Sequence, residues 1–216
     1  MSTKMSVFLA DDHAVVRDGL RYLLEAQPDI RVVGSAADGR DAVRQVKQLR
    51  PDVVIMDIAM PQLNGLEAAE QIRKASPSTQ VIILSMYATT EHIYRALQAG
   101  ARGYLLKESA GIEIVKAVRE VYTGRRYLSD KVEETMTKDY LLAHKTLSPL
   151  ESLSPREREI LQLIVEGKSS AEIAKIVYLS AKTVETYRSR MMQKLGVQDL
   201  QGLIKFAIQH GLASLE

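Results

Sequence analysis

Five short apolar runs recur through the first half of the chain: Val7 to Ala10, Arg31 to Gly34, Val53 to Met56, Val81 to Leu84 and Gly103 to Leu106. Each has the length and β-branched bias of a strand. Val53-Val54-Ile55-Met56, which has no polar alternation, is predicted to be buried on both faces. Between the runs, apolar residues return at helical spacing: Val16, Leu20, Leu23 and Leu24; Ala42, Val43, Val46 and Leu49; Leu66, Ala69 and Ile72; Val115, Val118 and Tyr122. The stretch from Glu91 to Ala99 offers only Ile93 and Leu97, so its helix is the most weakly anchored and is the expected mobile element. Strands alternating with amphipathic helices predict an α/β domain over residues 1–125. Its five-stranded parallel sheet should be doubly wound and flavodoxin-like.

The pattern loosens from Arg125 to Leu153. Val132, Met136 and Tyr140 have possible helical spacing, but Thr and Lys interleave and Leu147-Ser148-Pro149 follows. We read residues 126–150 as a linker with at most one short helix, long enough for a docked or an extended arrangement of its neighbours. Helical punctuation resumes with Ser154-Pro155-Arg156-Glu157 and Ser169-Ser170-Ala171-Glu172, two capping boxes, the first with Pro at the opening helical position. Ile160, Leu163 and Ile164 form the first inward stripe, ended by Gly167; Ile173, Ala174 and Val177 form the second. A third helix follows Ser180 and stops at Gly196, and a fourth carries Leu200, Leu203, Ile204, Ala207 and Ile208 before Gly211. Four short helices joined by tight turns predict an all-α helix-turn-helix domain over residues 151–216.

Composition narrows the function classes. With 46% hydrophobic and 26% charged residues the chain is ordinary globular material, and at 216 residues two domains are expected. Without Cys, thiolate metal sites, disulfides and cysteine nucleophiles are excluded. No apolar run approaches a membrane span and no charged-then-apolar leader precedes the first strand, so a soluble cytoplasmic protein without a membrane partner is expected. Net charge is +1 over residues 1–125, zero over 126–150 and +1 over 151–216. Any nucleic-acid partner must therefore be argued from local patterning.

The polar residues fall into register with the strands. Asp11 and Asp12 follow the first, Asp57 the third, Ser85 the fourth and Lys107 the fifth. In a parallel sheet these carboxyl ends share one edge, so three carboxylates, a hydroxyl and an ammonium should converge in one crevice. Crowded carboxylates repel, and a hard cation with oxygen ligands relieves that repulsion; Mg²⁺ is the expected ion. Asp57 can then act as a nucleophile toward phosphorus, with the cation and Lys107 offsetting charge and Ser85 placed to hydrogen-bond a phosphoryl oxygen. Tyr104 by itself reads as a half-buried strand aromatic.

In the third helix of the second half the inward stripe is Val184, Tyr187, Met191 and Leu195. Lys182, Thr186, Ser189 and Gln193 lie opposite, flanked by Glu185 and Arg190. These outward groups are short and polar, which suits base edges in a major groove. Lys182, Arg188, Arg190 and Lys194 set four cations against Glu185, the local charge that the whole-domain count conceals. We take Lys182, Thr183, Glu185, Thr186, Arg188, Ser189, Arg190 and Lys194 as the DNA-facing set.

Leu9-Ala10-Asp11-Asp12-His13, Met56-Asp57-Ile58-Ala59-Met60-Pro61-Gln62-Leu63-Asn64-Gly65, Leu84-Ser85 and Gly100-Ala101-Arg102-Gly103-Tyr104-Leu105-Leu106-Lys107 together resemble the receiver domain of a two-component response regulator. Leu153 to Leu161, Gly167-Lys168, Glu172-Ile173-Ala174 and Ser180 to Tyr187 resemble the LuxR-type helix-turn-helix, so the whole chain is similar to the NarL/FixJ class. The resemblance implies a DNA-binding transcriptional regulator whose Asp57 accepts phosphate from a sensor histidine kinase. It implies Mg²⁺ held by Asp12, Asp57 and the Ala59 carbonyl, with Asp11 acting through water. It further implies a switch in which Ser85 moves toward the phosphate and Tyr104 changes rotamer. Phosphorylation should lead to a homodimer on double-stranded DNA with the recognition helix near 181–195 exposed; RNA polymerase is a further partner such a regulator can have. His13 is expected to help start the first helix rather than to donate phosphate. Many members carry Lys where this chain has Glu185, so lysine-based operator rules should not be carried over.

Two other classes compete. A phosphohydrolase using Asp57 would want a second acid two residues on, and Ala59 is there, so no enzyme is expected. A protein-binding module would use the helical half for protein rather than DNA, which a gel shift separates.

Overall fold

The computed structural model describes residues 4–142 and 149–209; Leu147, Ser148 and Gly211 lie outside the described residues. The chain divides into two compact units, one centred on a sheet and one on a helical bundle, with the division in the 140s.

In the first unit, strands β1 (Met5–Ala10), β2 (Ile30–Ala36), β3 (Val53–Asp57), β4 (Gln80–Ser85) and β5 (Gly103–Leu106) alternate with helices α1 (Ala14–Glu25), α2 (Gly39–Leu49), α3 (Gly65–Ala75), α4 (Thr90–Ala99) and α5 (Ala110–Tyr122). All pairings are parallel, in the order β2-β1-β3-β4-β5, with a sixth strand beyond β5. Every residue of β3 is buried, as an unbroken apolar run at the sheet's centre requires. One face packs Val7, Leu9, Val53, Ile55, Ile82, Leu84 and Leu105 against Leu20 and Leu24 of α1 and Ile114, Val118 and Val121 of α5.

The expected linker differs from the structure. Tyr127–Leu128 is a sixth strand, β6, parallel to β5, and Asp130–Leu142 is helix α6, which packs against β5 and α4. The Tyr127 amide donates to Arg102 O at 2.9 Å, and the Tyr127 hydroxyl donates to Glu113 of α5 at 2.8 Å. Two residues are too short to show a period, and among the described side chains of α6 only Val132 is buried. The sheet unit therefore continues past residue 125. The side chain of Tyr140 is outside the described set.

Among the described residues of the second unit, a 3-10 turn spans Pro149–Ser152. Helices α7 (Pro155–Val165), α8 (Ser170–Val177), α9 (Ala181–Leu195) and α10 (Leu200–Gln209) follow. Both capping boxes form: Ser154 and Ser169 accept from the amides of Glu157 and Glu172, whose carboxylates accept in return. Ser180 caps α9 by accepting from the Thr183 amide at 3.1 Å, and Gly196 ends it at φ +67°, where only glycine is unstrained. The core joins Leu150 and Leu153 to Ile160, Leu163, Ile173, Val177, Val184, Met191, Leu203 and Ala207. Tyr187 and Leu195 are half-buried at its margin; the side chain of Ile208 is not among those described.

Candidate functional site

The carboxyl ends of β1, β3 and β5 bring Asp11, Asp57 and Lys107 into contact. Lys107 Nζ lies 2.8 Å from Asp57 Oδ2 and 2.8 Å from Asp11 Oδ2, and both aspartates are almost fully buried. Asp57 is the last residue of its strand rather than the first of the loop, so the backbone of β3 holds it. The loop after it turns back over the strand end: the Gly65 amide donates to Ile58 O at 2.9 Å, and a Cβ on Gly65 would stand 1.8 Å from Asp57 O. No other residue fits there. Asp12, half-buried, faces the same pocket, and His13 comes with it: Nδ1 is 2.6 Å from Asp12 Oδ1 and 3.2 Å from Asp11 Oδ1.

The electrostatics of this crevice are those of crowded acids. Burial, then the neighbouring Asp11 charge, push the Asp57 carboxyl up to about 6, although the Lys107 ammonium pulls the other way. Burial works to lower Lys107, but Asp57 and Asp11 outweigh it and hold the ammonium above its ordinary range. Asp11 and Asp57 share the Lys107 ammonium, while Asp12 Oδ1 faces His13 Nδ1. Asp11, Asp12, His13 and Asp57 each offer a ligand atom, all within 4.8 Å of one another, so the donor set can hold a metal ion.

Ser85, the last residue of β4, is fully buried and accepts from the Tyr87 amide at 3.0 Å. Tyr104 is also fully buried, not half-buried as its position suggests, and its hydroxyl donates to Tyr87 O at 2.6 Å. Burial raises the Tyr104 phenol well above its usual range. The Tyr87 ring stacks on His92 of α4 with centroids 4.6 Å apart, and His92 Nδ1 is 2.7 Å from Thr89 Oγ1. The β4–α4 loop is thus tied to β5 through one phenol. The inward stripe of α4 is His92, Ile93 and Ala96, with Leu97 only half-buried.

On α9, Lys182, Glu185, Thr186, Ser189, Arg190 and Lys194 are exposed, and Thr183 and Arg188 are half-buried. Not all are open. Thr183 Oγ1 lies 2.8 Å from Ser180 Oγ within the cap, and Thr186 Oγ1 donates back to Lys182 O at 3.0 Å. Glu185 accepts from Ser170 Oγ of α8, and Lys194 Nζ is 2.7 Å from the buried Glu157 of α7. Lys182, Arg188, Ser189 and Arg190 have no side-chain partner among the described residues.

Two family models match the chain: the response regulator receiver domain over residues 7–119, and bacterial regulatory proteins, luxR family, over residues 151–207. The chain belongs to the two-component response regulators with a LuxR-type helix-turn-helix. It is 40% identical to the response regulator UvrY of Escherichia coli K12 over 212 residues, 98% of this chain and 97% of that protein. It is 39% identical to the oxygen regulatory protein NreC of Staphylococcus carnosus over 214 residues, 96% of this chain and 99% of that one. A solved structure of two RcsB dimers bound to two parallel DNAs matches with a TM-score of 0.60 at 29% identity, covering 94% of this chain and 98% of RcsB. The chain is accordingly a transcriptional regulator of a two-component system, with a receiver domain and a DNA-binding domain. Among the described residues of this response regulator no helix is long and apolar enough to cross a membrane.

Two groups in this response regulator carry no signal in the sequence, Tyr87 and His92, and a third, His13, does more than its position suggests. His13 starts the first helix as expected, being the N-cap of α1, but its side chain makes no capping hydrogen bond and turns onto Asp11 and Asp12. His92 lies one residue before Ile93 on the inward face of α4, a register the spacing allowed but chemistry did not demand. Tyr87 falls in a loop, where periodicity carries no signal.

Proposed function

We propose that Asp57 is the phosphoacceptor of this response regulator and that its phosphorylation controls DNA binding by α9. The observation that carries the proposal is the Lys107 ammonium held 2.8 Å from both Asp57 and Asp11 in a buried crevice. An Asp57 carboxylate oxygen attacks the phosphorus of a phosphohistidine on the sensor kinase. The new O–P bond forms as the P–N bond breaks, and its electron pair returns to the imidazole. Lys107 stays beside Asp57 and offsets the added charge. Asp11, Asp12, Asp57 and the Ala59 carbonyl would hold Mg²⁺, which when bound supplies charge compensation for the phosphoryl oxygens. Ser85 exchanges the Tyr87 amide for a phosphoryl oxygen, releasing the loop that Tyr104 holds.

Lys182, Glu185, Thr186 and Ser189 set sequence preference in the major groove, while Arg188, Arg190 and Lys194 contact phosphates, with Thr183 serving the cap. Phosphorylated receivers dimerise and place two such modules on paired half-sites, which raises occupancy without new base contacts. RcsB, a relative bound to DNA as dimers, supports this reading. The test is acetyl phosphate with Mg²⁺, which should add one acid-stable, hydroxylamine-labile phosphoryl group, absent in Asp57→Asn. Full labelling of Asp57→Asn would sink the assignment. Sedimentation and DNA titration of the full chain should show dimerisation and tighter binding on phosphorylation; equal binding by an unphosphorylated monomer would refute the coupling.

A further inference from the structure

We propose that Tyr178, in the turn between α8 and α9, grips the sugar-phosphate backbone of DNA beside the groove that α9 enters, its hydroxyl donating to a phosphate oxygen and its ring lying against deoxyribose. The inference rests on the reading of α9 as the helix in the groove. Tyr178 is 92% exposed, more than any other large apolar side chain among the described residues, and its hydroxyl has no hydrogen-bond partner among them. It also stands where a tyrosine is costly. Its φ is +55°, in the left-handed region where a Cβ is strained and glycine or asparagine is favoured. After α7 and α9 the same backbone conformation is taken by glycine, Gly167 at φ +75° and Gly196 at φ +67°. A buried ring would offset the strain by packing, but this ring buries almost nothing.

The turn itself is held firmly. Arg156 of α7 donates to Val177 O, the Tyr178 and Leu179 amides both donate to Ala174 O, and Leu179 packs on the core. Neighbours that fix a strained residue and leave its side chain in water present that side chain to an outside partner, as ligand clamps do. In a helix-turn-helix the second helix puts its first residues at base edges while the first helix crosses the backbone, so the turn joining them lies over the phosphate rim of the groove. Lys175 in the last turn of α8 and Lys182 in the first turn of α9 are both exposed, one on each side of Tyr178 along the chain. They supply charge complementary to phosphate, and Lys182 already belongs to the DNA-facing set, so Tyr178 extends that surface past the Ser180 cap. Tyrosine hydroxyls are among the donors that bind phosphate oxygens, and such contacts fix position without reading sequence. Tyr178 therefore sets affinity and register, not base preference.

The test uses the full chain treated with acetyl phosphate and Mg²⁺, titrated against a duplex that the wild type selects from a random-sequence pool and against an unselected duplex. Tyr178→Gly should bind both at least about tenfold more weakly, the loss expected for one hydrogen bond to a charged group. The slope of log affinity against log salt should not change, because a neutral phenol displaces no counterion, whereas Arg190→Ala should make it shallower. Tyr178→Phe, which keeps the ring, should fall between wild type and Tyr178→Gly. Tyr178→Gly should also melt no lower than wild type, since glycine relieves the left-handed strain, and should dimerise equally in sedimentation. Unchanged affinity in Tyr178→Gly beside a loss in Arg190→Ala overturns the role of Tyr178 and leaves the α9 reading standing. A loss confined to the selected duplex, a lower melting midpoint or impaired dimerisation overturns it too, by making Tyr178 a base reader, a structural residue or a protein contact. Binding that Arg190→Ala leaves intact, or a wild type that binds neither duplex, overturns the α9 reading and the inference with it.

Discussion

The crevice at the sheet edge and the outward face of α9 hold charged side chains under opposite conditions. In the crevice, Asp11 and Asp57 are buried and share one ammonium at 2.8 Å. On α9 the cations Lys182 and Arg190 are exposed without a side-chain partner among the described residues, and only the flanks are tied down, Glu185 to Ser170 and Lys194 to Glu157. Buried charge interacts strongly but must be compensated internally, so the crevice is built around its own lysine. Exposed charge costs little and keeps its full valence for an outside partner, which is what phosphate recognition needs.

The contrast breaks most visibly at Lys107. Lys107→Ala leaves Asp11 and Asp57 without their cation and should cost about 3 kcal/mol or more at neutral pH without divalent ions. Arg190→Ala should stay within about 0.5 kcal/mol in stability and weaken DNA binding across all sequences, with a shallower salt dependence. Denaturant melts of both variants check this; equal stability losses would erase the distinction.

The reverse effect is expected at Asp57. Its folded carboxyl titrates near 6 against 3.8 for the ordinary group. The native state therefore binds more protons than the unfolded chain between these values, and stability falls as pH rises through that window. Asp57→Asn removes the penalty. It should stabilise the metal-free protein by up to about 3 kcal/mol above pH 6, with no gain below pH 4 and less once divalent cation is added. Thermal melts across pH measure it, and a constant offset at all pH values would contradict the burial argument.

Glu185→Ala sharpens the other side of the comparison. Freed from Ser170, the position should lose discrimination at one base pair, worth about 1 to 3 kcal/mol; uniform weakening on every operator would mean that Glu185 reads no base. Smallest is Tyr104→Phe, which deletes the 2.6 Å hydrogen bond to Tyr87 O and should cost about 1 kcal/mol. Hydrogen exchange should then rise in the β4–α4 loop, and an unchanged loop would show that the phenol does not hold it.

Much of this was legible before the fold was in hand. Strand ends are visible where an apolar run meets a charge, so Asp57, Ser85 and Lys107 could be put at one edge, and the capping boxes of α7 and α8 announced themselves by local hydrogen-bonding chemistry. In the segment 126–142 the spacing of Val132 and Met136 allows the helix that forms there, but the strand before it is not legible, because β6 is two residues long and draws its stability from β5 and Glu113, distant in sequence.

The amino-acid sequence by itself determined the alternation of strands and helices, the helix boundaries in the second unit and which residue types reach the sheet edge, since each follows from periodicity and local hydrogen bonding. Only the tertiary structure decided that Tyr104 is fully buried and bonded to Tyr87, that His13 turns onto Asp11 and Asp12, and that Lys194 is paired with Glu157. These are contacts between side chains whose direction depends on packing around them, and no spacing along a chain encodes a rotamer.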